Sequence, residues 1–285
     1  MKVGYLGPEK STFGYMAALK HFGVGEEVEY VPVSPQPTIC TAVRHGMVDF
    51  GVVAVENVID GAVFETIRAM RAESSFGVRV CGEVTIPIEI FLLRAMKDGT
   101  LPRKVLSHQT AVRQCSKFVA ELAKQGVEVA YAASTGEAAL QAKGNPDIAA
   151  LGPAILEETV GLTRVSEASV VDEPDDNFTR FWVLGMRNNT SVPTGKDKTS
   201  LLVSLGRGEP GSLCRSLQPF EQAGINLCFM FPIPIARRRW EYTFLMELEA
   251  HIGEPKMESA IEALEEGGAL CVKVLGSYPN SSVYS

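Results

Sequence analysis

Apolar residues change period in a regular way along the chain. Val3–Leu6, Val28–Val33 and Phe50–Val55 are short apolar runs bounded by glycine, proline or polar residues, as in strands buried on both faces. Thr12–Phe22, Pro37–His45 and Ala62–Met70 instead carry their apolar residues at helical spacing. This β-α-β-α-β-α series predicts an α/β fold with a parallel sheet covered on both faces. Two β-rich runs between Val78 and Leu93 have no helix between them, and read as crossing strands leading into a second lobe. There the alternation resumes with strand Lys104–Ser107, helix Thr110–Lys124, strand Val127–Tyr131, helix Gly136–Lys143, strand Asp147–Leu151 and helix Pro153–Val160. Strand Phe181–Leu184 returns the chain to the first lobe. Two such lobes make a cleft, and ligands of open α/β sheets bind at strand carboxyl ends.

Arg187–Lys198 is polar and turn-rich and predicts a linker. Beyond it, strand Ser200–Gly206, helix Gly211–Ala223, strands Asn226–Pro232 and Glu241–Glu249, helix Lys256–Gly267 and strand Leu270–Leu275 follow the order βαββαβ. That order predicts a ferredoxin-like module.

Length and composition narrow the function. A chain of 285 residues has room for two domains, and 46% hydrophobic with 21% charged residues is ordinary for a folded, soluble protein. The formal charge of −7 offers no basic footprint for nucleic acid and disfavours anionic membranes, so an anionic ligand needs a local positive site. No apolar run approaches a membrane span of ~18 residues. The first residues run straight into a strand, so a cytoplasmic location is the expectation. Cys40, Cys81, Cys115, Cys214, Cys228 and Cys271 are far apart, without a C-x-x-C pair, and read as reduced, mostly buried small hydrophobes. His21 and His45 end helical patterns, where a cation suits the helix dipole. No metal or other cofactor is expected.

Candidate chemistry gathers at predicted strand ends. Asn177-Phe178-Thr179-Arg180-Phe181 follows the acidic run Asp172–Asp176 and sets a hydroxyl, a guanidinium and two rings at a strand mouth. Such a stretch can hold a small, flat, anionic molecule against a hydroxyl; it is also what a capping threonine and a surface arginine look like. Gly7-Pro8-Glu9-Lys10-Ser11-Thr12 opens a helix whose free N–H groups suit a carboxylate or simply need a cap. Glu56-Asn57 ends a buried strand and must find partners, from the fold or from a ligand. Ser107-His108 precedes a helix bearing Gln114; His108 is either a general acid or an ordinary helix start. Ser134-Thr135 before Gly136 is either an N-cap or a second anion site. G-x-S-x-G and P-loop motifs are lacking, so any chemistry rests on placed hydroxyls, amides and an arginine.

In order along the chain these pieces resemble prephenate dehydratase. Tyr5-Leu6-Gly7-Pro8-Glu9, Val55-Glu56-Asn57 with Gly61, Ser107-His108 with Gln114-Cys115, Ser134-Thr135, Ala149–Gly152, Gly161-Leu162 and Asn177–Phe181 resemble that family's motifs, the last its Thr-Arg-Phe signature. Pro210–Leu213, Gly224–Leu227, Trp240–Tyr242 and Lys273–Pro279 resemble an ACT domain. The resemblance implies a two-lobed, periplasmic-binding-protein-like catalytic domain over 1–187 (lobe 1 about 1–80 and 172–187, lobe 2 about 81–171). A linker over 188–198 and an ACT domain over 199–285 complete the implied organisation. It implies decarboxylative dehydration of prephenate to phenylpyruvate, with Thr179 catalytic. Thr12, Glu56, Asn57, Ser107, Gln114, Ser134, Thr135, Arg180 and Phe181 would bind substrate. It also implies a dimer or tetramer paired through ACT domains, with Gly211, Ser212, Leu213, Asn226 and Leu227 as regulatory positions.

The chain departs from the family pattern at several points. Lys10 stands as an extra residue in the first loop, Val58 replaces a hydroxyl residue, and Gln109-Thr110 replaces Pro-Gln. Phe231-Pro232-Ile233-Pro234 replaces a Glu-Ser-Arg-Pro stretch that helps bind phenylalanine, so weak feedback is expected. Arogenate dehydratase, a specialised prephenate decarboxylase and a non-catalytic sensor are alternatives on the same scaffold; Thr179 itself counts against the decarboxylase, because dehydration is what needs a hydroxyl donor.

Overall fold

A computed structural model describes residues 1–8, 10–72, 75–96, 100–187, 191–205, 209–235, 238 and 240–281. Glu9 and Asn188–Thr190, at the start of the expected linker, lie outside the described residues. The chain divides into two compact units. One comprises Met1–Ile39, Val52–Gly61 and Thr85–Phe181; the other comprises Cys40–Gly51, Ala62–Val84 and the chain from Trp182 onward.

The first sheet has the order β2-β1-β3-β11-β5, built from β1 (Lys2–Leu6), β2 (Glu29–Val33), β3 (Phe50–Asn57), β5 (Val78–Pro87) and β11 (Phe178–Met186). A short β4 (Gly61–Ala62) pairs with β3. Strands β1 and β2 run parallel. Val3 and Tyr5 of β1 are fully buried. Helix α1 (Phe13–Phe22) closes over β1 through the small residues Gly14, Ala17 and Ala18 and through Tyr15, whose ring lies 5.1 Å from that of Tyr5; a Cβ on Gly14 would already lie 3.4 Å from Leu6 N. Helices α2 (Thr38–Arg44) and α3 (Phe64–Arg71) complete the first α/β series.

The second sheet, order β10-β6-β9-β7-β8, is mixed. β7 (Lys104–Ser107) pairs in parallel with β8 (Glu128–Tyr131) and β9 (Ile148–Gly152). β6 (Phe91–Arg94) and a two-residue β10 (Thr163–Arg164), for which the apolar pattern gives no signal, run antiparallel. Helices α4 (Gln109–Gln114) and α5 (Ser116–Lys124) replace the single helix expected over Thr110–Lys124. Cys115, at φ −115° and ψ 31°, breaks the run. The break is capped from afar, since the Asp172 carboxylate accepts from the backbone N–H groups of Ser116 and Lys117, each at 3.0 Å. Helices α6 (Thr135–Lys143) and α7 (Leu156–Val160) supply Ala138, Ala139, Ala142, Leu156 and Val160 to the core beneath this sheet.

The third sheet contains β12 (Asp197–Leu205), β13 (Leu227–Pro234), β14 (Tyr242–Leu248) and β15 (Ala269–Pro279), all antiparallel in the order β13-β14-β12-β15. With α8 (Ser212–Gln222) and α9 (Pro255–Glu266) it forms the expected ferredoxin-like βαββαβ unit. Leu201, Val203, Phe220, Met246, Met257 and Leu264 form its core. Among the described residues of the second unit three carboxylates are buried, Glu83, Asp197 and Glu247. Glu247 accepts hydrogen bonds from Trp182 Nε1 at 3.1 Å, Ser200 Oγ at 3.2 Å and the Tyr278 hydroxyl at 3.0 Å. Glu83 pairs with Lys198.

The cysteines correct one expectation. Cys40 and Cys115 are buried and Cys81 is half-buried, but Cys214, Cys228 and Cys271 are exposed. Cys228 and Cys271 lie on the two edge strands of the third sheet, where strand alternation turns one face outward. Burial pushes the Cys81 thiol up to about 12 and the Cys40 thiol to about 11, so neither is nucleophilic at neutral pH. Among the described residues, no helix is long and apolar enough to cross a membrane.

Candidate active site

Thr179 is the second residue of β11, one strand away from Asn57 at the end of β3. Strand β11 begins at Phe178, three residues before the predicted strand, so Thr179 sits within the sheet and is 8% exposed. Asn57 Nδ2 donates to Thr179 Oγ1 at 2.9 Å, to Asn177 Oδ1 at 2.9 Å and to the Phe178 carbonyl at 3.0 Å. The Asn57 side-chain oxygen accepts from the backbone N–H groups of Ile59 at 2.9 Å and Asp60 at 2.8 Å, an Asx turn that holds the amide in place. A buried amide with these partners is satisfied by the fold itself.

The polar chain continues through Asn177. Its Nδ2 donates to Gln114 Oε1 at 3.3 Å, and Gln114 Nε2 donates to Asp60 Oδ2 at 2.6 Å. Asp60 Oδ1 takes Arg113 Nε at 3.0 Å and Nη2 at 2.6 Å. The structure thus joins Thr179, Asn57 and Gln114, to which the sequence gives roles, through Asn177, Asp60 and Arg113, to which it gives none. Asn177 is fully buried beside Thr179 in the chain, and Asp60 closes the turn that Asn57 opens. Those adjacencies are the available local signals. The Asp60–Arg113 contact spans 53 residues and has no local signal.

Arg180 points elsewhere. Successive residues of a strand face opposite sides of its sheet, so Arg180 on β11 and Glu56 on β3 meet on the side away from Thr179 and Asn57. Arg180 Nε and Nη2 lie 3.2 and 3.0 Å from Glu56 Oε2. With the arginine side chain 10% exposed, the pair clamps β11 to β3. Phe181 follows Thr179's face and is 3% exposed.

The remaining candidates are largely engaged in structure. Thr12 Oγ1 donates to the Leu6 carbonyl at 2.6 Å and accepts from Tyr15 N at 3.3 Å, capping α1. Ser134 Oγ accepts from Glu137 N at 3.0 Å while the Glu137 carboxylate accepts from Ala133 N at 2.9 Å, a capping-box arrangement at α6. Thr135, the first residue of α6, is 7% exposed. Ser107, fully buried, donates to the Leu151 carbonyl at 2.6 Å and ties β7 to β9. The starts of α1 and α6 are brought together, for a Cβ on Gly136 would lie 2.1 Å from Ser11 Oγ, so glycine is needed for their approach. His108 Nδ1 accepts from Thr110 N at 3.3 Å, and burial together with the Arg113 charge holds the ring's pKa below the ordinary histidine value. The candidate regulatory residues start α8 and β13. Gly211 precedes α8 at φ +82° and Asn226 donates to Glu249 at 3.1 Å. Ser212 opens α8 and accepts from Ser216, while Leu213 and Leu227 pack on the core of the third sheet.

Comparison with known proteins gives the family of the chain. The family model for prephenate dehydratase matches residues 3–189. A bifunctional chorismate mutase/prephenate dehydratase of Aquifex aeolicus is 37% identical over 99% of this chain and 74% of its own length. A prephenate dehydratase of Bacillus subtilis is 31% identical over 98% of both chains. The crystal structure of prephenate dehydratase from Arthrobacter aurescens in complex with L-Phe superposes with a TM-score of 0.85 at 25% identity, covering 99% of this chain and 91% of that one. By sequence along its whole length and by fold, the chain belongs to the prephenate dehydratase family.

Proposed function

We propose that the protein converts prephenate to phenylpyruvate, carbon dioxide and water in phenylalanine biosynthesis, with Thr179 as the catalytic hydroxyl. The observation that carries this is the hydrogen bond from Asn57 to Thr179 Oγ1. It occupies a lone pair of the hydroxyl, and among the described residues no acceptor takes the Thr179 proton. That proton is free to be donated to a ligand. In prephenate the bond from the ring to its carboxylate breaks, its electron pair enters the ring, and the ring C–O bond breaks as aromaticity forms. The departing hydroxyl leaves with the C–O electron pair, takes up one further proton and becomes water. A threonine is a weak acid, so a preorganised donor facing the developing negative charge matters more than its acidity. Asn57 and Gln114 orient the hydroxyl, and the α1 and α6 starts, with Thr12, Ser134 and Thr135, offer N–H groups suited to the substrate carboxylates. No cofactor is needed, because aromatisation drives the step. Purified protein with prephenate should yield the alkaline ultraviolet absorbance of phenylpyruvate. A dihydro keto acid as product, or no turnover, would reject the proposal.

His108 has no part in proton transfer in this scheme. Asparagine is a good N-cap, so His108→Asn should retain α4 and keep kcat within about threefold, the range of a surface change of ~0.5 kcal/mol. A loss of two orders of magnitude in a folded variant would reinstate the histidine.

The organisation proposed with this activity is a catalytic domain over 1–187, a linker over 188–198 and an ACT domain over 199–285, paired into a cytoplasmic dimer or tetramer. The ferredoxin-like order of the third sheet supports it. In β13, Phe231, Pro232, Ile233 and Pro234 pair with Leu245, Phe244, Thr243 and Tyr242 of β14. That segment gives the ammonium and carboxylate of free phenylalanine no charged partner. Micromolar phenylalanine should leave turnover unchanged; inhibition, with a matching binding isotherm, would overturn this.

A further inference from the structure

We infer that Asp60, held by Arg113, is a positioning residue that sets the hydrogen-bond polarity of the amide chain ending at Thr179. Side-chain amides are reversible connectors, because rotating one by half a turn exchanges its donor and acceptor ends. A row of three amides can run in either direction unless an end is fixed. Here one end is fixed by a group that only accepts. The Asp60 carboxylate, in a salt bridge with Arg113, presents Oδ2 to Gln114 at 2.6 Å. Gln114 must therefore turn its NH2 toward Asp60 and its oxygen toward Asn177. Asn177 in turn gives its NH2 to Gln114 and its oxygen to Asn57. Asn57 is left to give N–H to Thr179.

The other end carries the same sense, since the Asn57 oxygen is held by the backbone N–H groups of Ile59 and Asp60. Reversal brings two NH2 groups or two oxygens together, in a buried place along Asn177 and Asn57 and in a part-buried one between Gln114 and Asp60, which is costly. With this sense, Thr179 is an acceptor inside the protein and a donor outward, as departure of a hydroxyl requires. This inference rests on the dehydratase assignment of the site. It adds Asp60, Arg113 and Asn177 as groups that touch no substrate and act through Thr179.

The test is a swap of carboxylate and amide. In Asp60→Asn the remaining side-chain oxygen still accepts from Arg113, but the new NH2 faces the Gln114 NH2, and the chain loses its defined sense. In Gln114→Glu two carboxylates face each other. In the double variant the carboxylate has moved to the end of α4. There it accepts from the NH2 now carried by the turn after β3 and from the Asn177 NH2, and the original sense returns beyond it. Each single variant should lose about 10–100-fold in kcat, as when a transition-state donor is weakened, with KM little changed. The double variant should regain most of kcat and of the melting temperature. A double variant no better than the worse single overturns the inference, as does one that regains melting temperature without kcat. Wild-type turnover of prephenate without rescue would reject the polarity alone. Absence of wild-type turnover would reject the dehydratase assignment beneath it.

Discussion

Lys198→Met is expected to destabilise the protein by about 3–5 kcal/mol, the usual cost of stranding one partner of a buried ion pair. Lys198 Nζ lies 2.9 Å from Glu83 Oε1, and each residue is 5% exposed. The same carboxylate oxygen accepts from Ser281 N at 2.9 Å and Ser281 Oγ at 3.1 Å. Neutral hydrogen bonds such as these do not replace the lysine charge beside a carboxylate kept from water. Methionine fills the volume of the lysine stem, so the loss reports the charge rather than a cavity. Adding Glu83→Gln removes the stranded charge and leaves an amide oxygen for Ser281, so the double variant should recover most of the stability. Urea unfolding of the wild type, the single and the double variant measures this. A single variant with wild-type midpoint and slope would show that the pair contributes nothing.

Much of the architecture is legible along the chain because apolar runs buried on both faces and helical spacing alternate cleanly. The strand Lys104–Ser107 begins and ends where the pattern puts it. The βαββαβ order of the last third is equally visible. Where the reading fails, the cause is in one case a distant residue and in another a local turn. The break at Cys115 depends on Asp172, which caps α5 from 56 residues away. The expected linker ends early because β12 begins at Asp197, whose carboxylate accepts from Thr194 and Gly195 and is 3% exposed, a polar residue buried by its own turn.

The site divides in the same way. Thr179 and Asn57 stand out because a polar pair at the end of an apolar strand is conspicuous. The role of Arg180 is not legible, since its partner Glu56 is 124 residues away and strand alternation turns both from the Thr179 face. Asp60 and Asn177 carry no signal as residue types. Their importance lies in the direction of the hydrogen bonds they fix, which only the folded chain displays.

Thr179→Val should reduce kcat by roughly 10²–10⁴-fold, the usual loss when a positioned proton donor is removed. Valine keeps the branched shape and strand preference of threonine. Asn57 Nδ2 keeps Asn177 Oδ1 and the Phe178 carbonyl as acceptors, so the fold should lose little. The defect should therefore appear in kcat at saturating prephenate, with substrate affinity nearly intact, because the lost contact forms as the hydroxyl departs. Thr179→Ser restores a hydroxyl but frees its rotamer, and should cost about tenfold or less, ~1.4 kcal/mol in the barrier.

The most direct measurement is the single-turnover rate of phenylpyruvate formation by the wild type, Thr179→Ser and Thr179→Val, with enzyme in excess over prephenate. The hydroxyl-donor account predicts that the serine variant stays within about tenfold of the wild type while the valine variant falls by at least about two orders of magnitude. A valine variant that forms phenylpyruvate at the wild-type rate would contradict it.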